Sequence, residues 1–527
     1  MLEPSDASRK ITQPPTPFSP VQWDHGIIPK THNNRTLVLC FDGTGDKFDS
    51  DNSNVVEFIS LLKKDKKHEQ MVYYQTGIGT YVAKHGPVVF TSIFKKVSKV
   101  LDAAVAWNLA SHTQCLHTII KSSISVLMGP FVSWLRIFDA ALFVLSRVAP
   151  NTSHYILGFH FILDQYGDKI CIFGFSRGAY TARALAGMLA KVGLLPADNN
   201  EQIPFAYKMY TQDDAFGWEQ SSAFKKTFSI DVDVEFLGVW DTVNSVGLIP
   251  HRLPFTISNS SIKYFRHALS LDERRAKFKA NLCPPGDKDQ GFLHADVQEG
   301  TSKVPRKRPT LNELERQWSD NSRRTDVLEV WFSGCHCDVG GGAVKNGTRH
   351  ALSRIPLRWM IRECFLAHTG IMFKTDGLKE VGLDPSRLYP NVLPRPKALY
   401  VKEADPNRIC CKIGIVSAVE PGIILNEEEE DLADALSPIN DQLSLSPIWW
   451  LLELLPMRQK CLGKDGTLEA KIKINLAKGR FLPQDGNHPV LVHRTVKLRV
   501  DHPEVFAEGP YVPRAGPWDT AKLVWVD

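Results

Sequence analysis

A serine lies between two glycines in the segment Gly174-Phe175-Ser176-Arg177-Gly178, which fits the G-x-S-x-G pattern of a nucleophile elbow. The apolar run before it predicts a strand, and the Ala- and Leu-rich segment after it predicts a helix. Such a turn lifts the serine oxygen above the sheet, and the glycines let strand and helix pack closely. The segment therefore predicts Ser176 as a nucleophile, although an ordinary tight turn can also place a serine between glycines.

An acyl-transfer site also needs two donors for the oxyanion that develops in the transition state. The N–H of Arg177, at the start of the predicted helix, is the first candidate. The turn that follows the first predicted strand supplies the second candidate, through Gly43 and Thr44, because this turn lies beside the elbow in such a topology.

A serine nucleophile needs a base, and the base needs a carboxylate that orients it. Asp241 and His336 each follow a predicted strand, and the chain order Ser, Asp, His is that of α/β hydrolases. Each also has a simpler interpretation, since an Asp after a strand commonly caps a turn and a histidine in a Gly-rich loop can be a packing residue. A second assignment takes Asp338 as the acid and His493 as the base.

These residues require a scaffold that brings distant segments together at one edge. Short apolar runs predict strands at residues 35–41, 71–75, 170–173, 234–240 and 327–332. Helical periodicity predicts helices at residues 54–64 and 177–189. This alternation predicts an α/β fold of the α/β-hydrolase type, with a mostly parallel sheet, helices on both faces and a C-terminal extension. Ligands bind at the carboxyl ends of strands in such sheets, which is where the predicted acid and base lie.

The composition is that of a globular chain, with 43% hydrophobic and 23% charged residues among 527. A net charge of +5 is too mild to indicate nucleic-acid binding. Scattered cysteines in apolar runs indicate reduced thiols, and the polar N-terminus contains no signal-peptide pattern, so we expect a cytoplasmic protein. Charges at Arg136 and Asp139 argue against a membrane-spanning helix in the apolar stretch 124–148.

The sequence Cys335-His336-Cys337 suggests a metal cluster, but no second Cys/His pair with zinc-finger spacing lies nearby. We therefore predict no metal and no cofactor. The expected partner is an ester or lipid substrate.

Six segments, in order, resemble the signature segments of a family of α/β hydrolases that includes bacterial type VI secretion phospholipase effectors and fungal relatives: LCFDGTGD, YYQTGIGT, GFSRGAYTARALAGM, GVWDTVNSVG, ALSLDERRAKF and EVWFSGCHCDVGGG. The resemblance spans about residues 35–362. It implies a serine esterase in which Ser176 is the nucleophile, Asp241 orients the base and His336 is the base. The bacterial effectors cleave acyl esters of glycerophospholipids, so a phospholipid or another lipid acyl ester is the implied substrate.

The resemblance divides the chain into a disordered lead-in at 1–34, a catalytic domain at 35–370 and an extension at 371–527 that packs on the catalytic domain. The resemblance also implies a helix at 156–166 before the elbow. Relative to the family, about forty residues are inserted ahead of it at 113–155, where a lipid-facing lid, a core element and a translated intron are the three interpretations. In the extension, the acidic run 427–431 predicts a solvated loop. Residues 448–455 predict a packed helix, with peripheral membrane contact by its two tryptophans as the alternative.

Two other functions compete with the esterase. The segment VLCFDGT is superficially similar to the first motif of haloacid dehalogenase-type phosphatases, but Cys40 occupies the position of their nucleophilic aspartate. A non-catalytic binding scaffold of the same fold is the other alternative, against which the intact Ser, Asp and His set argues.

Overall fold

The computed structural model describes residues 26–77, 167–283 and 309–527, apart from gaps at 30–33, 44–45, 47, 197–201, 244–252, 257–259, 310, 320–323, 413–414, 420–424, 463–467, 483–488, 504–505, 507–508 and 519–522. The predicted helix at 156–166, the insertion at 113–155 and most of the lead-in at 1–34 therefore lie outside the described residues.

The described strands, in chain order, are β1 Ile27–Ile28, β2 Thr36–Phe41, β3 Gln70–Gln75, β4 Lys169–Phe175, β5 Val234–Trp240, β6 Ile262–Ser270, β7 Asp326–Phe332, β8 Phe373–Lys374, β9 Ile409–Lys412, β10 Ile415–Ala418, β11 Met457–Leu462, β12 Leu468–Lys473, β13 Val490–His493 and β14 Leu523–Val526. Eight of them form one sheet in the order β14-β13-β7-β6-β5-β4-β2-β3, and every pairing in it is parallel. The predicted α/β fold with a mostly parallel sheet is confirmed.

The α-helices of the described residues are Asn54–Ser60, Ser176–Val192, Ile203–Thr211, Ala215–Phe228, Leu311–Gln317, His336–Gly340, Arg354–Leu366, Thr375–Glu380, Glu427–Ala435, Gln442–Leu445, Trp450–Glu453 and Arg494–Asp501. Short 3₁₀ turns lie at Ala276–Phe278, Pro385–Arg387 and Pro447–Trp449. No helix of this described part of the chain is long and apolar enough to cross a membrane.

Helices cover both faces of the sheet, because alternate residues of the central strands enter two separate cores. In β2, Val38 and Cys40 pack with the helices Asn54–Ser60 and Arg354–Leu366. Leu37 and Leu39 of the same strand pack on the opposite face with the helix Ser176–Val192. A strand buried on both faces needs a continuous apolar run, which is why the central strands were predictable.

The helix Asn54–Ser60 has Ser53 as its N-cap, whose side chain accepts the N–H of Val56, and it ends four residues earlier than predicted. The next residues leave the helix to pair with β8, where Leu62 bridges Phe373 and the N–H of Lys63 donates to Met372. A tertiary strand contact therefore overrides helical propensity at this end.

The predicted solvated loop at 427–431 is wrong, because these residues form the buried first part of the helix Glu427–Ala435. Arginines neutralise the carboxylates: the Arg358 guanidinium lies 2.6 Å from both Asp431 and Asp434, and Arg408 lies 2.7 Å from Glu429. Buried carboxylates are stable only when they are paired in this way.

The helix predicted at 448–455 is present only as two short helical turns, and the prediction that it is packed is wrong. A 3₁₀ turn and a single α-helical turn occupy this stretch, and most of its large apolar side chains are exposed.

The segment predicted as an extension contributes two strands, β13 and β14, to the main sheet, next to β7. The division of the chain at residue 370 stays a prediction about its organisation. In the structure, β13, which lies beyond residue 370, pairs directly with β7 of the main sheet.

Candidate active site

Ser176 begins a helix directly where β4 ends at Phe175. Its backbone φ of +59° lies in the left-handed region that residues other than glycine rarely adopt. The two flanking glycines make this turn sterically feasible. A Cβ on Gly178 would lie 2.3 Å from the carbonyl oxygens of Phe41 and Asp42, and a Cβ on Gly174 would lie 2.6 Å from the Gly178 oxygen. The turn is therefore a strained strand-to-helix junction that requires glycine on both sides of the serine.

Ser176, His336 and Asp241 form a chain of hydrogen bonds at the carboxyl end of the sheet. The Nε2 atom of His336 lies 2.7 Å from the Ser176 Oγ, and its Nδ1 lies 2.5 Å from the Asp241 Oδ2. Ser176 follows β4, Asp241 follows β5, and His336 begins a short helix four residues after β7. The geometry is that of a nucleophile, a base and an orienting carboxylate.

The environment sets the protonation of both partners of the serine. Burial lowers the pKa of His336, and the neighbouring Asp241 opposes this effect only in part. Burial alone would raise the pKa of Asp241, but the Arg480 guanidinium and the His336 ring outweigh it and hold that pKa well below its usual range. At neutral pH the site therefore holds a neutral imidazole between a hydroxyl and a carboxylate, the state in which His336 can accept a proton.

Arg480, from the C-terminal segment, is a site residue that sequence reasoning missed. Its Nη1 and Nη2 donate to the two oxygens of Asp241 at 2.5 and 2.8 Å, and the guanidinium also donates to the carbonyls of Ser270 and Phe278. The Ser270 N–H donates to the same carboxylate at 2.9 Å. Asp241 is thus held in a bidentate clamp, which fixes the oxygen that faces His336. A lone arginine 239 residues along the chain carries no motif that could have revealed this contact.

The segment that follows β6 fixes the turn that carries His336. The Asp272 carboxylate accepts the Gly334 N–H at 2.6 Å, and the Glu273 carboxylate accepts the His336 N–H at 3.3 Å. Arg275 neutralises Glu273 through two side-chain bonds, so this buried anion is paired. The LDERR sequence thus has a positioning role that follows from its charges.

Two aromatic rings flank the imidazole. The Phe175 ring centroid lies 4.7 Å from that of His336, and the Phe278 centroid lies 4.9 Å from it in an edge-on arrangement. These contacts exclude water from the base and account for much of its burial, since only 3% of the residue is exposed.

The structure describes two of the three predicted oxyanion donors, Arg177 and Gly43, and their surroundings differ. Arg177 lies in the first turn of the helix that Ser176 begins, and it lines a small cleft together with Phe41, Asp42, Gln75, Thr76, Gly178 and Thr181. The Gly43 N–H donates to the Asp42 Oδ1 at 2.8 Å, so it has a partner within its own turn. Thr44 lies outside the described residues.

The alternative pair Asp338 and His493 is not brought together with Ser176. The Asp338 carboxylate accepts the Cys335 N–H and two bonds from Asn440, which makes it a cap of the short helix that His336 begins. Burial raises the pKa of Asp338 to about 6. The His493 Nδ1 lies 2.8 Å from the Thr495 Oγ1, its ring stacks on Phe332, and burial lowers its pKa to about 3. These contacts describe packing and capping residues.

The structure around Cys40 bears on the phosphatase alternative. Cys40 is fully buried within β2, and burial raises the pKa of its thiol well above the usual value, so it is no nucleophile.

Three residues of the described part, His350, Glu430 and Asp434, have ligand atoms within 4.8 Å of one another. Two arginines already pair with these carboxylates, Arg349 with Glu430 and Arg358 with Asp434, so ion pairing accounts for the cluster.

Comparisons with known proteins identify one family and one relative that match more than half of this chain. The sequence profile of the family described as "T6SS, Phospholipase effector Tle1-like, catalytic domain" matches residues 35–123 and 148–363, which is more than half of the chain. The match omits residues 124–147, which lie inside the segment predicted as an insertion. An uncharacterized protein of Saccharomyces cerevisiae is 25% identical over 595 residues, with 88% of this chain and 79% of that protein covered.

Two solved structures are similar at lower levels. An uncharacterized protein from Pseudomonas aeruginosa is 18% identical, with 67% of this chain and 49% of that chain covered and a TM-score of 0.33. The Tle1 effector bound to the VgrG spike from the type VI secretion system is 16% identical, with 59% of this chain and 52% of that chain covered and a TM-score of 0.25. This chain thus spans about half the length of each of these two solved chains.

Proposed function

Because the chain belongs to the family of Tle1-like type VI secretion phospholipase effector catalytic domains, we propose that it is a serine hydrolase that cleaves the carboxylic esters of lipids, phospholipids among them. The observation that carries this proposal is the hydrogen-bonded order Ser176, His336 and Asp241, with 2.7 Å between the serine and the ring and 2.5 Å between the ring and the carboxylate. No feature of the described residues favours a binding scaffold, for which this buried arrangement would have no purpose.

The reaction proceeds in two halves. The Ser176 Oγ attacks the ester carbonyl carbon while its proton passes to the Nε2 of His336, and the N–H of Arg177 donates to the resulting oxyanion. Collapse of this intermediate transfers the proton from His336 to the departing alcohol and leaves an acyl-serine. Water then attacks the acyl-serine with His336 again as the base, which releases the carboxylic acid and restores Ser176.

Asp241 stays ionised throughout. Its carboxylate accepts the Nδ1–H of His336, holds the ring in the tautomer that leaves Nε2 free to accept a proton, and stabilises the imidazolium that forms. Arg480 acts on this carboxylate as a positioning residue through its bidentate contact.

Labelling with a fluorescent fluorophosphonate tests the proposal, because this reagent reacts only with an activated serine. The native protein should be labelled, whereas Ser176→Ala should not be, with a loss of about 10⁴-fold or more in the turnover of short-chain p-nitrophenyl esters. Ser221→Ala is the matched control, since Ser221 is another buried serine, whose Oγ donates to the carbonyls of Met209 and Gly217. An unlabelled native protein would favour the scaffold, and undiminished labelling of Ser176→Ala would exclude this serine.

A further inference from the structure

Exposed apolar side chains concentrate on one part of the C-terminal segment. Eight of the twenty large apolar residues that are exposed in the described part of the chain belong to this stretch, which we call the apolar C-terminal surface: Leu445, Trp450, Leu451, Leu454, Leu455, Ile472, Ile474 and Leu476. Their exposure reaches 66% at Leu451 and 73% at Ile472. Monomeric proteins rarely leave such a cluster uncovered unless it binds another surface.

A buried carboxylate joins the two sequence segments that form this surface. Glu453 accepts the side-chain amide of Asn475 at 2.6 Å and the Ala477 N–H at 2.8 Å. Its other oxygen accepts the Ala276 N–H at 2.5 Å. The leucines around Glu453 and the apolar residues beside Asn475, Ile474 and Leu476, are therefore held near each other, and Glu453 ties both segments to the turn Ala276–Phe278.

The same turn connects the apolar C-terminal surface to the candidate active site. The Phe278 ring lies 4.9 Å from the His336 ring on one side and 5.5 Å from the Trp449 ring on the other. The Arg275 guanidinium covers this pair, at 3.6 Å from the Phe278 centroid and 4.8 Å from the Trp449 centroid. Three rings in edge-on contact thus lead from the imidazole to Trp449, the residue that precedes the helical turn Trp450–Glu453.

The sequence beside this surface is basic. Between Met457 and Lys478 the chain has six Lys or Arg residues against two Asp or Glu residues. Two of these cations, Lys473 and Lys478, are described and exposed, and they lie in the same short segment as Ile472, Ile474 and Leu476. Apolar side chains with basic neighbours of this kind fit the boundary of an anionic lipid bilayer, where apolar groups enter the acyl region and cations meet the headgroups.

We propose that the apolar C-terminal surface docks on an anionic phospholipid bilayer and so places the entrance of the Ser176 site at the membrane. This inference rests on the proposed function, because a lipid esterase must take its substrate from an interface. A protein partner is less consistent with the charges and with the position beside the site, where it would obstruct a lipid. A second copy of this chain would bring two basic segments together, which is electrostatically unfavourable.

Vesicle sedimentation tests the proposal independently of catalysis, because all variants are made in the Ser176→Ala background. The parent should bind vesicles of phosphatidylcholine with phosphatidylserine, and should bind them less at high salt. Leu451→Ser/Leu454→Ser should weaken the binding about tenfold or more, since it removes apolar area that enters the bilayer. The matched control is Leu366→Ser/Leu393→Ser, which changes two leucines that are 49% and 46% exposed elsewhere, and its binding should equal that of the parent.

Equal binding by the two double variants, or no binding by the parent, would overturn the proposal. A parent that sediments as a dimer in the absence of vesicles, and a Leu451→Ser/Leu454→Ser variant that does not, would assign the surface to a second copy instead. Fluorophosphonate labelling of both double variants with Ser176 present separates the two ideas. A protein that is labelled but does not bind vesicles would refute only the docking proposal. A protein that binds vesicles but is not labelled would refute only the esterase proposal.

Discussion

Replacing Arg480 by glutamine removes the only charge that faces both oxygens of Asp241 in the described structure. The side chains of Arg480 and Asp241 are 1% and 0% exposed, so the pair is desolvated. A unit charge at about 4 Å is worth about 4 kcal/mol at an effective dielectric constant of about 20. Removing one partner of a buried pair typically costs about 3–5 kcal/mol. We expect Arg480→Gln to lower the free energy of unfolding by about 3 kcal/mol at neutral pH.

The sign of the pH dependence follows from the direction of the pKa shift. The pKa of Asp241 is lower in the folded protein than in the unfolded chain, so its contribution to stability is complete above the unfolded value of about 4. That contribution disappears as the pH falls through the folded value. The stability difference between the native protein and Arg480→Gln should therefore be largest at neutral pH and shrink in acid.

Activity should respond in a way that a purely structural arginine would not produce. Without the guanidinium, the Asp241 carboxylate attracts the proton of His336 more strongly, which raises the pKa of His336. Burial, now unopposed by Arg480, also raises the pKa of Asp241. Both changes move the acid limb of kcat/KM to higher pH, and we expect a displacement of about one pH unit or more, equivalent to about 1.4 kcal/mol.

The assay is the pH profile of kcat/KM for a soluble p-nitrophenyl ester, together with urea unfolding. Arg358→Gln is the matched control, because Arg358 is 1% exposed and pairs with Asp431 and Asp434 rather than with the candidate triad. Both variants should lose stability, but only Arg480→Gln should change the profile. An acid limb that stays in place in Arg480→Gln, at equal loss of stability, would refute the positioning role.

The remaining predictions concern the base, the elbow, the helix cap and the insertion. His336→Ala should lose fluorophosphonate labelling while His493→Ala retains it, and the reverse pattern would move the base to His493 and the acid towards Asp338. Gly178→Ala should destabilise the protein by about 1–3 kcal/mol in urea unfolding, because its Cβ would meet two carbonyl oxygens at 2.3 Å. Asp338→Asn should reduce stability and leave the pH profile of labelling in place, whereas a displaced profile would give Asp338 a catalytic role. A chain without residues 113–155 should stay soluble and label at Ser176, and aggregation of every such deletion would indicate a core element.

The parts of the fold that could be predicted are those where one physical effect dominates. The central strands β2 and β4 are buried on both faces, so their apolar runs are unbroken, and in β5 only Glu235 interrupts the run. Strand β6 was missed because Lys263, Arg266 and His267 interrupt its pattern. Arg266 is buried because Glu363, on a distant helix, accepts its Nε–H at 2.5 Å, and Asp326 of β7 accepts from its Nη2 at 3.0 Å. A partner almost a hundred residues away is not readable from local sequence.

In the candidate site, too, some features are predictable from the local sequence and others depend on residues far along the chain. The elbow around Ser176 has a local signature, since the steric need for glycine acts within five residues. The positions of Asp241 and His336 followed from strand ends and from the family resemblance, and their catalytic roles stay predictions until a labelling experiment tests them. The buried carboxylates of 427–431 were misassigned because a charge run is normally solvated, and only the arginines of other segments make burial feasible.

Two residues of the candidate triad have backbone conformations that residues other than glycine rarely adopt, with φ of +59° at Ser176 and +44° at Asp241. Such residues cost about 1–3 kcal/mol each and persist only where their surroundings fix them. Glycines within the elbow allow the first. The second is fixed by its bond to His336 and by Arg480, which lies more than a hundred residues beyond the last residue matched by the family profile, 363. The segment that the family profile matches therefore does not contain every residue of the candidate site, and the C-terminal segment supplies the arginine that clamps Asp241.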